Sequence, residues 1–243
     1  MLRYMSRLFV VLIALPAQAA TSVVEHDGNI YCGERQLTDE SIDRDPVLSP
    51  DGHTLAFMRL VTKAADLPES EQGGMVEQQG PDKLALWIGD CAKGMVKRAV
   101  TPTPVFKSRP SDGPDDDRRG LENDLSFISD PAFSPDGRIV YFRTDGVWAT
   151  ATGVHRYDLQ TGFQRYVAAG EDMLILQNGP YRSDLVLREH RYHGPPDGGS
   201  YDPYFIVDPD GVDKDILQVP GTDSADAEAV LAKWLKDKKW QAH

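Results

Sequence analysis

Cysteine, positive charge and long apolar runs are all scarce in this sequence. Cys32 and Cys91 are the only cysteines among 243 residues, and neither lies in a C-x-x-C motif or at ligand spacing from a histidine. Zinc and redox sites are therefore disfavoured. Lys and Arg number 26 against 38 Asp and Glu, which gives a formal net charge of −12. Such an acidic chain binds phosphate backbones poorly, so nucleic-acid partners are not expected.

Helical periodicity is also missing over most of the chain. No long stretch of helix-spaced apolar residues occurs before the C-terminus, whereas Gly (21) and Pro (17), which are typical of turns, are frequent. Hydrophobic residues make up 40% and charged residues 26%, as in ordinary globular proteins. The composition predicts an all-β protein with many turns.

The N-terminal residues predict export. Arg3 and Arg7 lie around the start of an apolar run, residues 8–15, which is followed by the small-residue triplet 17–19. The run is too short to cross a membrane, because a spanning helix needs about 20 residues. We expect residues 1–19 to be a cleaved signal peptide. The mature protein is then periplasmic and is not inserted in a membrane.

Export would place both cysteines in an oxidising compartment, where a disulfide persists. Two alternatives stay open at this point. A bond between Cys32 and Cys91 would close a long loop and stabilise the fold by about 3–4 kcal/mol on the chain-entropy model. Alternatively, the two thiols are buried separately, since free cysteine packs as a small hydrophobic residue.

A thirteen-residue repeat carries the strongest signal for the fold. Residues 45–57 recur as residues 130–142 with seven identical positions, six of which form the pattern D-P-x-x-S-P-D-G. In this pattern serine starts a turn, proline presets the backbone and glycine adopts the left-handed conformation. Because apolar residues stand on both sides, each copy predicts a β-hairpin. The turn residues are Ser49, Pro50, Asp51 and Gly52 in the first copy and Ser134, Pro135, Asp136 and Gly137 in the second.

A second type of hairpin follows three times, at residues 86–100, 154–167 and 204–217. Two successive hairpins make a four-stranded antiparallel unit whose length is near the roughly 40–45 residues of a propeller blade, with residues 62–82 and 104–126 as insertions. We expect full blades at residues 44–102, 129–169 and 172–219, preceded by half a blade at residues 29–38.

The D-P and S-P-D-G residues resemble the WD-like β-propeller repeat of the TolB-type family. That family occurs in exported bacterial proteins and in the propeller domains of prolyl-oligopeptidase-like enzymes. The resemblance implies a β-propeller-like domain over residues 20–219, although the third unit lacks S-P-D-G. A closed ring needs at least about four blades. Two arrangements stay open: an incomplete propeller plugged by the C-terminal segment, or one completed by another chain.

The C-terminal segment, residues 220–243, contains an amphipathic helix predicted over residues 223–239. Asp223 or Ser224 can cap its start, and lysines near its end favour the negative end of the helix dipole. The apolar residues on one face are Ala227, Val230, Leu231, Trp234 and Leu235. We interpret this face as packing on the open end of the protein itself, with partner docking as the alternative.

The sequence gives little support for catalysis. It has no G-x-S-x-G motif, and about 24 residues after the third blade cannot form a hydrolase domain. The histidines show no triad pattern; they are His26, His53, His155, His190, His193 and His243. We therefore predict no catalytic residues and no cofactor.

The sequence gives equally little support for a metal site. The segment with Asp208, Asp210, Asp213 and Asp215 lacks the spacing of a calcium loop and favours a hairpin turn. The cluster Asp112, Asp115, Asp116 and Asp117 favours a solvated loop. His190 and His193 would face opposite sides of a strand.

These observations favour an exported, non-enzymatic binding or scaffold protein. In this hypothesis, rim loops 62–82 and 107–124 contact a periplasmic or envelope protein, since binding specificity is usually built on loops of a rigid scaffold. One alternative is a small-ligand or Ca²⁺-binding module. Another is a hydrolase-related propeller whose enzymatic role is lost or cryptic.

Overall fold

The computed structural model describes residues 22–68, 82–103, 125–148, 151–192, 198–210, 217–223 and 226–243. Over these residues the protein is all-β apart from one 3-10 turn and one helix, as the composition predicted. The expected signal peptide, loop 107–124 with its aspartates, and most of loop 62–82 lie outside the described residues.

The strands form one small sheet and two complete blades before residue 170. The N-terminal sheet contains β1 (Val23–His26), β2 (Asn29–Cys32) and β3 (Arg35–Gln36). The first blade contains β4 (Asp43–Leu48), β5 (Thr54–Thr62), β6 (Lys83–Asp90) and β7 (Met95–Val100), with a 3-10 turn at Ala64–Asp66. The second contains β8 (Ser129–Phe133), β9 (Ile139–Trp148), β10 (Ala151–Asp158) and β11 (Gln164–Ala169).

The third blade carries an extra hairpin. Its strands begin with β12 (Glu171–Ile175) and β13 (Leu185–Arg188), continue through the hairpin β14 (Arg191–Tyr192) and β15 (Ser200–Tyr201), and end with β16 (Tyr204–Val207) and β17 (Leu217–Gln218). The sheet order is β12-β13-β16-β17, and each of the three blades is a four-stranded antiparallel sheet in chain order. The prediction of three full blades is therefore confirmed.

The N-terminal sheet has three strands instead of the two expected for residues 29–38. The missed strand β1 has an exposed surface, with Val24, Glu25 and His26 all facing solvent. It therefore lacks the alternation of apolar and polar residues by which a half-buried strand is recognised.

The three blades pack face to face through two apolar layers. Met58 and Leu86 of the first blade meet Phe142 of the second. On the other face of the second blade, Tyr141 and Val154 meet the third blade at Leu185. Consecutive residues of one strand, such as Tyr141 and Phe142, thus point to opposite faces and pack in two different layers.

Both ends of this stack are covered by the chain itself. At the first blade, Ile30 of the N-terminal sheet packs against Leu55 and Phe57. At the third blade, helix α1 (Ala227–Lys238) lays Leu231 over Val186 and Ile206. The interpretation that the amphipathic helix covers the protein's own open end is therefore correct, and the stack of blades has a cap at each end.

Helix α1 is shorter than the 223–239 predicted. It begins after Asp226, whose side chain makes no capping hydrogen bond, and not after Asp223 or Ser224. The reason lies at Thr222, which is fully buried: its hydroxyl donates to the Val219 carbonyl (2.8 Å) and accepts from the Tyr204 amide (3.0 Å). This turn fixes the chain against β16 before the helix can start.

The C-terminal tail continues the cap beyond α1. The amide of Ile175 donates to the His243 carbonyl (2.7 Å), and the amide of Gln177 donates to the Gln241 carbonyl (2.8 Å). Trp240 stacks edge-on against Tyr181. The tail therefore covers the free edge of β12 with strand-like hydrogen bonds, which protects an edge that would otherwise be open to pairing.

Candidate functional site

The two S-P-D-G turns adopt the same hydrogen-bonded geometry. In the first, the Ser49 hydroxyl donates to Asp51 (2.6 Å) and accepts from the Thr54 amide (2.9 Å), while Gly52 has φ +76°. The Ser49 hydroxyl and the amide of His53 lower the pKa of Asp51. The Ser49 hydroxyl and one carboxylate oxygen of Asp51 are thus used inside the turn.

The second turn repeats these contacts through Ser134, Asp136 and the Ile139 amide, with Gly137 at φ +71°. Burial pushes the pKa of Asp136 upward, but the Ser134 hydroxyl and the Arg138 amide together lower it below its usual value. In both turns the serine hydroxyl and one aspartate oxygen are engaged within the turn, which fits the structural role expected for these residues.

The hairpin registers place the connections between strands at two opposite rims of the protein. The two S-P-D-G turns lie next to each other: a Cβ atom built on Gly137 would lie 3.6 Å from Cδ of Pro50. The tight turns at residues 90–95 and 158–164 lie at the same ends of the strands, as do the connection at residues 176–184 and the end of β16 at Val207. We call this the turn rim, and the opposite ends the loop rim.

The turn rim also holds the disulfide. Cys32 and Cys91 are bonded, with their Cα atoms 5.7 Å apart, so the first of the two alternatives is realised. Beside the bond, Arg35 donates to the carbonyls of Ala92 (2.8 Å) and Lys93 (3.3 Å). Together these contacts fasten the N-terminal sheet to the β6–β7 turn.

The three longest connections leave from the loop rim; they join β5 to β6, β7 to β8 and β13 to β16. They start where the strands meet at pairs such as Thr62 with Lys83 and Arg188 with Tyr204. The bases of the first two are tied: Asp82 accepts from the Ala64 amide (2.9 Å), and the amide of Leu125 donates to the Thr103 hydroxyl (3.0 Å). The described ends of the two insertions, residues 62–68 with 82 and residues 101–103 with 125, therefore lie at the same rim.

Each blade carries a β-bulge with a left-handed aspartate at the loop rim. Asp45, Asp130 and Asp172 have φ of +54°, +50° and +50°, and the ladder shifts register at each of them. Aspartate tolerates this conformation better than most side chains. Such bulges re-aim side chains at the inner edge of a sheet.

An arginine on the second strand of each blade meets a carboxylate from the first. Arg143 bonds Asp130 through Nε (2.8 Å) and Nη2 (2.5 Å), and Arg188 lies 3.5 Å from Asp172. In the first blade the partner changes: Arg59 bonds the buried Asp43, which raises the pKa of Arg59. These arginines lie outside the repeated segments 45–57 and 130–142, so the repeat in the sequence does not reveal the ion pairs.

A cleft of about 280 Å³ opens between the first and second blades at the loop rim. Its charged and polar lining includes Arg44, Asp45, Asp82, Ser129, Arg143, Thr144 and Thr152, and its apolar lining includes Leu84, Phe127 and Ile128. It lies beside the bases of both insertions, since Asp82 and Leu84 follow the first and Phe127 follows the second. The cleft and these bases form the candidate site.

The third blade has a separate polar cluster at the same rim. His190 Nδ1 lies 2.7 Å from Asp202, and the Tyr204 hydroxyl donates to Asp172 (3.1 Å). Burial, followed by the charge of Asp172, raises the pKa of Tyr204 to about 12. His193, the second member of the pair considered for metal binding, lies outside the described residues.

Histidine rings bond to amide or carboxylate side chains. His155 is fully buried and its Nδ1 lies 2.6 Å from Gln164, while His243 contacts Gln177. Over the part of the chain that the structure describes, no histidine ring bonds to a serine, so no Ser-His-Asp arrangement is formed there.

Carboxylates considered for calcium also have protein partners. Asp208 accepts from the Asp210 amide (2.7 Å), and Asp210 pairs with Arg156 (2.6 Å). Asp213 and Asp215 lie outside the described residues. Within those residues, no group of three or more His, Cys, Asp or Glu side chains is arranged to hold a metal ion, and no helix has the length and apolar content of a membrane crossing.

Comparison with known proteins shows no matching family model and no matching curated protein. Solved structures with a similar fold include the tricorn protease (14% identity, 82% of this chain and 15% of that one, TM-score 0.48). They also include the β-propeller domain of the Trilobed protease from Pyrococcus furiosus (12%, 79% and 47%, TM-score 0.42) and TolB from Acinetobacter baumannii (15%, 81% and 49%, TM-score 0.26). The chain spans less than half of each of these proteins, and the likeness carries no information on activity.

Proposed function

We propose that this protein is an exported, non-enzymatic binding module that holds a periplasmic or envelope protein with its loop rim. The observation that carries the proposal is the difference between the two rims. The three longest connections leave one rim, whereas the other rim holds turns such as those at Ser49, Ser134 and Asp158, whose side chains bond within the turn. Loops on a rigid β scaffold are where recognition is usually built.

The two caps support the same proposal. Because the N-terminal sheet and helix α1 cover the outer faces of the first and third blades, those faces are occupied by the chain itself. In stacked-repeat proteins, capping units with polar outer surfaces have the same effect. The rims are then the surfaces left for a partner.

The disulfide supports the proposal of export. A bond between Cys32 and Cys91 persists in an oxidising compartment such as the periplasm and is rare in the cytosol. N-terminal sequencing of the protein from a periplasmic extract tests this directly. A mature N-terminus near Ala20 is expected, and a protein that retains Met1 in the cytosol contradicts export.

Two matched variants test the loop rim. Glu40 and Glu34 are both exposed, but Glu40 lies at the loop rim beside Arg59 and Glu34 at the turn rim. We expect Glu40→Lys to reduce capture of the partner in a tagged pull-down from crosslinked cells, and Glu34→Lys to leave it unchanged. Equal capture by both variants would refute binding through this rim.

A further inference from the structure

The connection between β12 and β13 contains the only Asn-Gly pair in the sequence, Asn178 and Gly179. The other asparagines, Asn29 and Asn123, precede isoleucine and aspartate. In an Asn-Gly pair the glycine nitrogen can close a five-membered ring on the side-chain carbonyl carbon, and no side chain on the glycine hinders the approach. Proximity of this kind favours intramolecular attack. Succinimide formation is therefore chemically easiest at this point of the chain.

The fold requires both residues of the pair. The Asn178 carboxamide holds the C-terminal tail, because its Oδ1 accepts from the Gln241 amide (2.9 Å) and its Nδ2 donates to the Lys239 carbonyl (3.3 Å). Gly179 has φ +84°, and a Cβ atom there would lie 2.5 Å from Nε1 of Trp240. Only glycine combines this backbone conformation with such close packing. The protein thus retains a dipeptide that is prone to lose its amide.

The attacking nitrogen is accessible. Gly179 is exposed, and among the described residues its amide has no hydrogen-bond partner. The Asn178 carboxamide, by contrast, is held by a terminal segment, and that segment bonds to the amides of Ile175 and Gln177. Terminal segments open locally at a much lower free-energy cost than global unfolding. Opening of the tail frees the carboxamide to rotate toward the Gly179 nitrogen.

We propose that Asn178 is a site of spontaneous deamidation, and that the modification detaches the C-terminal tail from β12. The Gly179 nitrogen loses its proton to water or hydroxide and attacks Cγ of Asn178, so that an N–Cγ bond forms. The Cγ–Nδ2 bond breaks, its electron pair leaves with Nδ2, and ammonia is released after protonation. Water then opens the ring. Cleavage at Cγ yields aspartate, and cleavage at the main-chain carbonyl carbon yields isoaspartate.

Both products weaken the attachment of the tail. Aspartate at position 178 lacks the Nδ2 donor and places a carboxylate oxygen near the Lys239 carbonyl. Isoaspartate also adds a methylene group to the main chain, which displaces Gly179 from Trp240. Loss of the tail uncovers the edge of β12, and an uncovered strand edge is open to pairing with another chain. The site lies at the turn rim and does not depend on a partner bound to the loop rim.

Peptide mapping by mass spectrometry tests the modification. The mature protein is incubated in mildly alkaline buffer and then digested with trypsin, which releases residues 166–182 as a peptide with Asn178 as its only asparagine. This peptide should gain the mass of an amide-to-acid exchange at position 178 and become a substrate of isoaspartate methyltransferase. Asn29, which precedes a branched residue, should stay unmodified. An intact Asn178, after the isolated peptide has been fully converted, would overturn the proposal.

Two tryptophan variants test the control by the tail. Trp240→Ala removes the indole that packs on Gly179, so the tail should open more often and deamidation should be at least about tenfold faster. Trp87→Ala, in the first blade, is the matched control and should deamidate at the rate of the wild type. Equal rates in Trp240→Ala and the wild type would contradict control by the tail.

Hydrogen exchange tests the release of the tail. Aged protein is separated by anion exchange, since deamidation adds a negative charge. The isoaspartate fraction should lose protection at the amides of Ile175 and Gln177, which bond to tail carbonyls, and keep it at Leu185–Arg188 inside the blade. Asn178→Asp, which keeps the normal main chain, should lose less. The same protection in the modified and unmodified fractions shows that the tail is not released.

Discussion

Arg59 and Asp43 form a bidentate ion pair at the base of the loop rim, with Nε–Oδ1 at 2.6 Å and Nη2–Oδ2 at 2.8 Å. The Asp43 side chain is 0% exposed and that of Arg59 only 9%. The guanidinium also lies 4.2 Å from the centre of the Trp87 ring. The pair thus joins β4, β5 and β6 where the first insertion begins.

Removal of one partner should be strongly destabilising. Asp43→Ala leaves the buried Arg59 charge with only the half-exposed Glu40 (3.3 Å) as a counter-charge, so we expect a loss of about 3 kcal/mol in the free energy of unfolding. The double variant Asp43→Ala/Arg59→Met should recover part of this loss, because the uncompensated charge is gone. Urea denaturation measures both. A double variant no more stable than Asp43→Ala alone would contradict the explanation.

We expect the disulfide to contribute mainly to the stability of the N-terminal cap, the sheet of β1, β2 and β3. A Cys32→Ala/Cys91→Ala variant releases a loop with a sequence separation of 59 residues. The chain-entropy model gives a loss of about 4 kcal/mol. Guanidinium denaturation with and without reductant measures this. Reductant should lower the stability of the wild type to that of the variant and leave the variant unchanged; a variant as stable as the oxidised wild type would contradict this role.

Gly137→Val should destabilise the second blade by more than about 1 kcal/mol. The residue has φ +71°, which valine adopts only with strain, and it lies close to Pro50 of the neighbouring turn. Thermal melting against the wild type checks this. Arg138→Ala, at the next position, is exposed and should change the melting temperature little. An unaltered melt for Gly137→Val would show that the left-handed turn is wrong.

His155 should make stability depend on pH. Burial lowers its pKa to about 3 from an ordinary value of 6.5. The unfolded chain therefore binds a proton below pH 6.5 that the folded protein does not, and stability falls as the pH drops from about 6.5 toward 3. Asp51 and Asp136, whose pKa values are lowered, add a further loss only at more acidic pH, below about 4.

Urea midpoints at pH 7.5 and 5 separate these contributions. The wild type should lose stability between the two values, and His155→Phe, which keeps an aromatic ring beside Phe142 and Tyr166, should lose much less. The same loss in both proteins would assign the pH dependence to other groups.

The sequence predicts the blades well because their signals are local. The S-P-D-G pattern specifies its turn through hydrogen bonds within six residues, from Ser49 to Thr54. The bounds of the third blade are also close to those expected, since aromatic and branched residues fill β16. The amphipathic pattern around Leu231 likewise predicts a cap without any tertiary information.

The candidate site could not be predicted in this way because its groups come from distant parts of the chain. Arg44 and Arg143 share a cleft only after two blades have stacked, and Thr144 has no distinguishing sequence pattern. Asp130 lies inside the repeat, but the sequence pattern does not reveal that it adopts the left-handed conformation of a β-bulge.

Site-specific photocrosslinking in intact cells that produce the protein tests the central claim most directly. A photoreactive amino acid replaces Glu40 at the loop rim or Glu34 at the turn rim, and adducts are identified by mass spectrometry. Binding through the loop rim predicts one abundant envelope or periplasmic protein linked at position 40 and little at position 34. An adduct formed equally from both positions, or from position 34 alone, would contradict it.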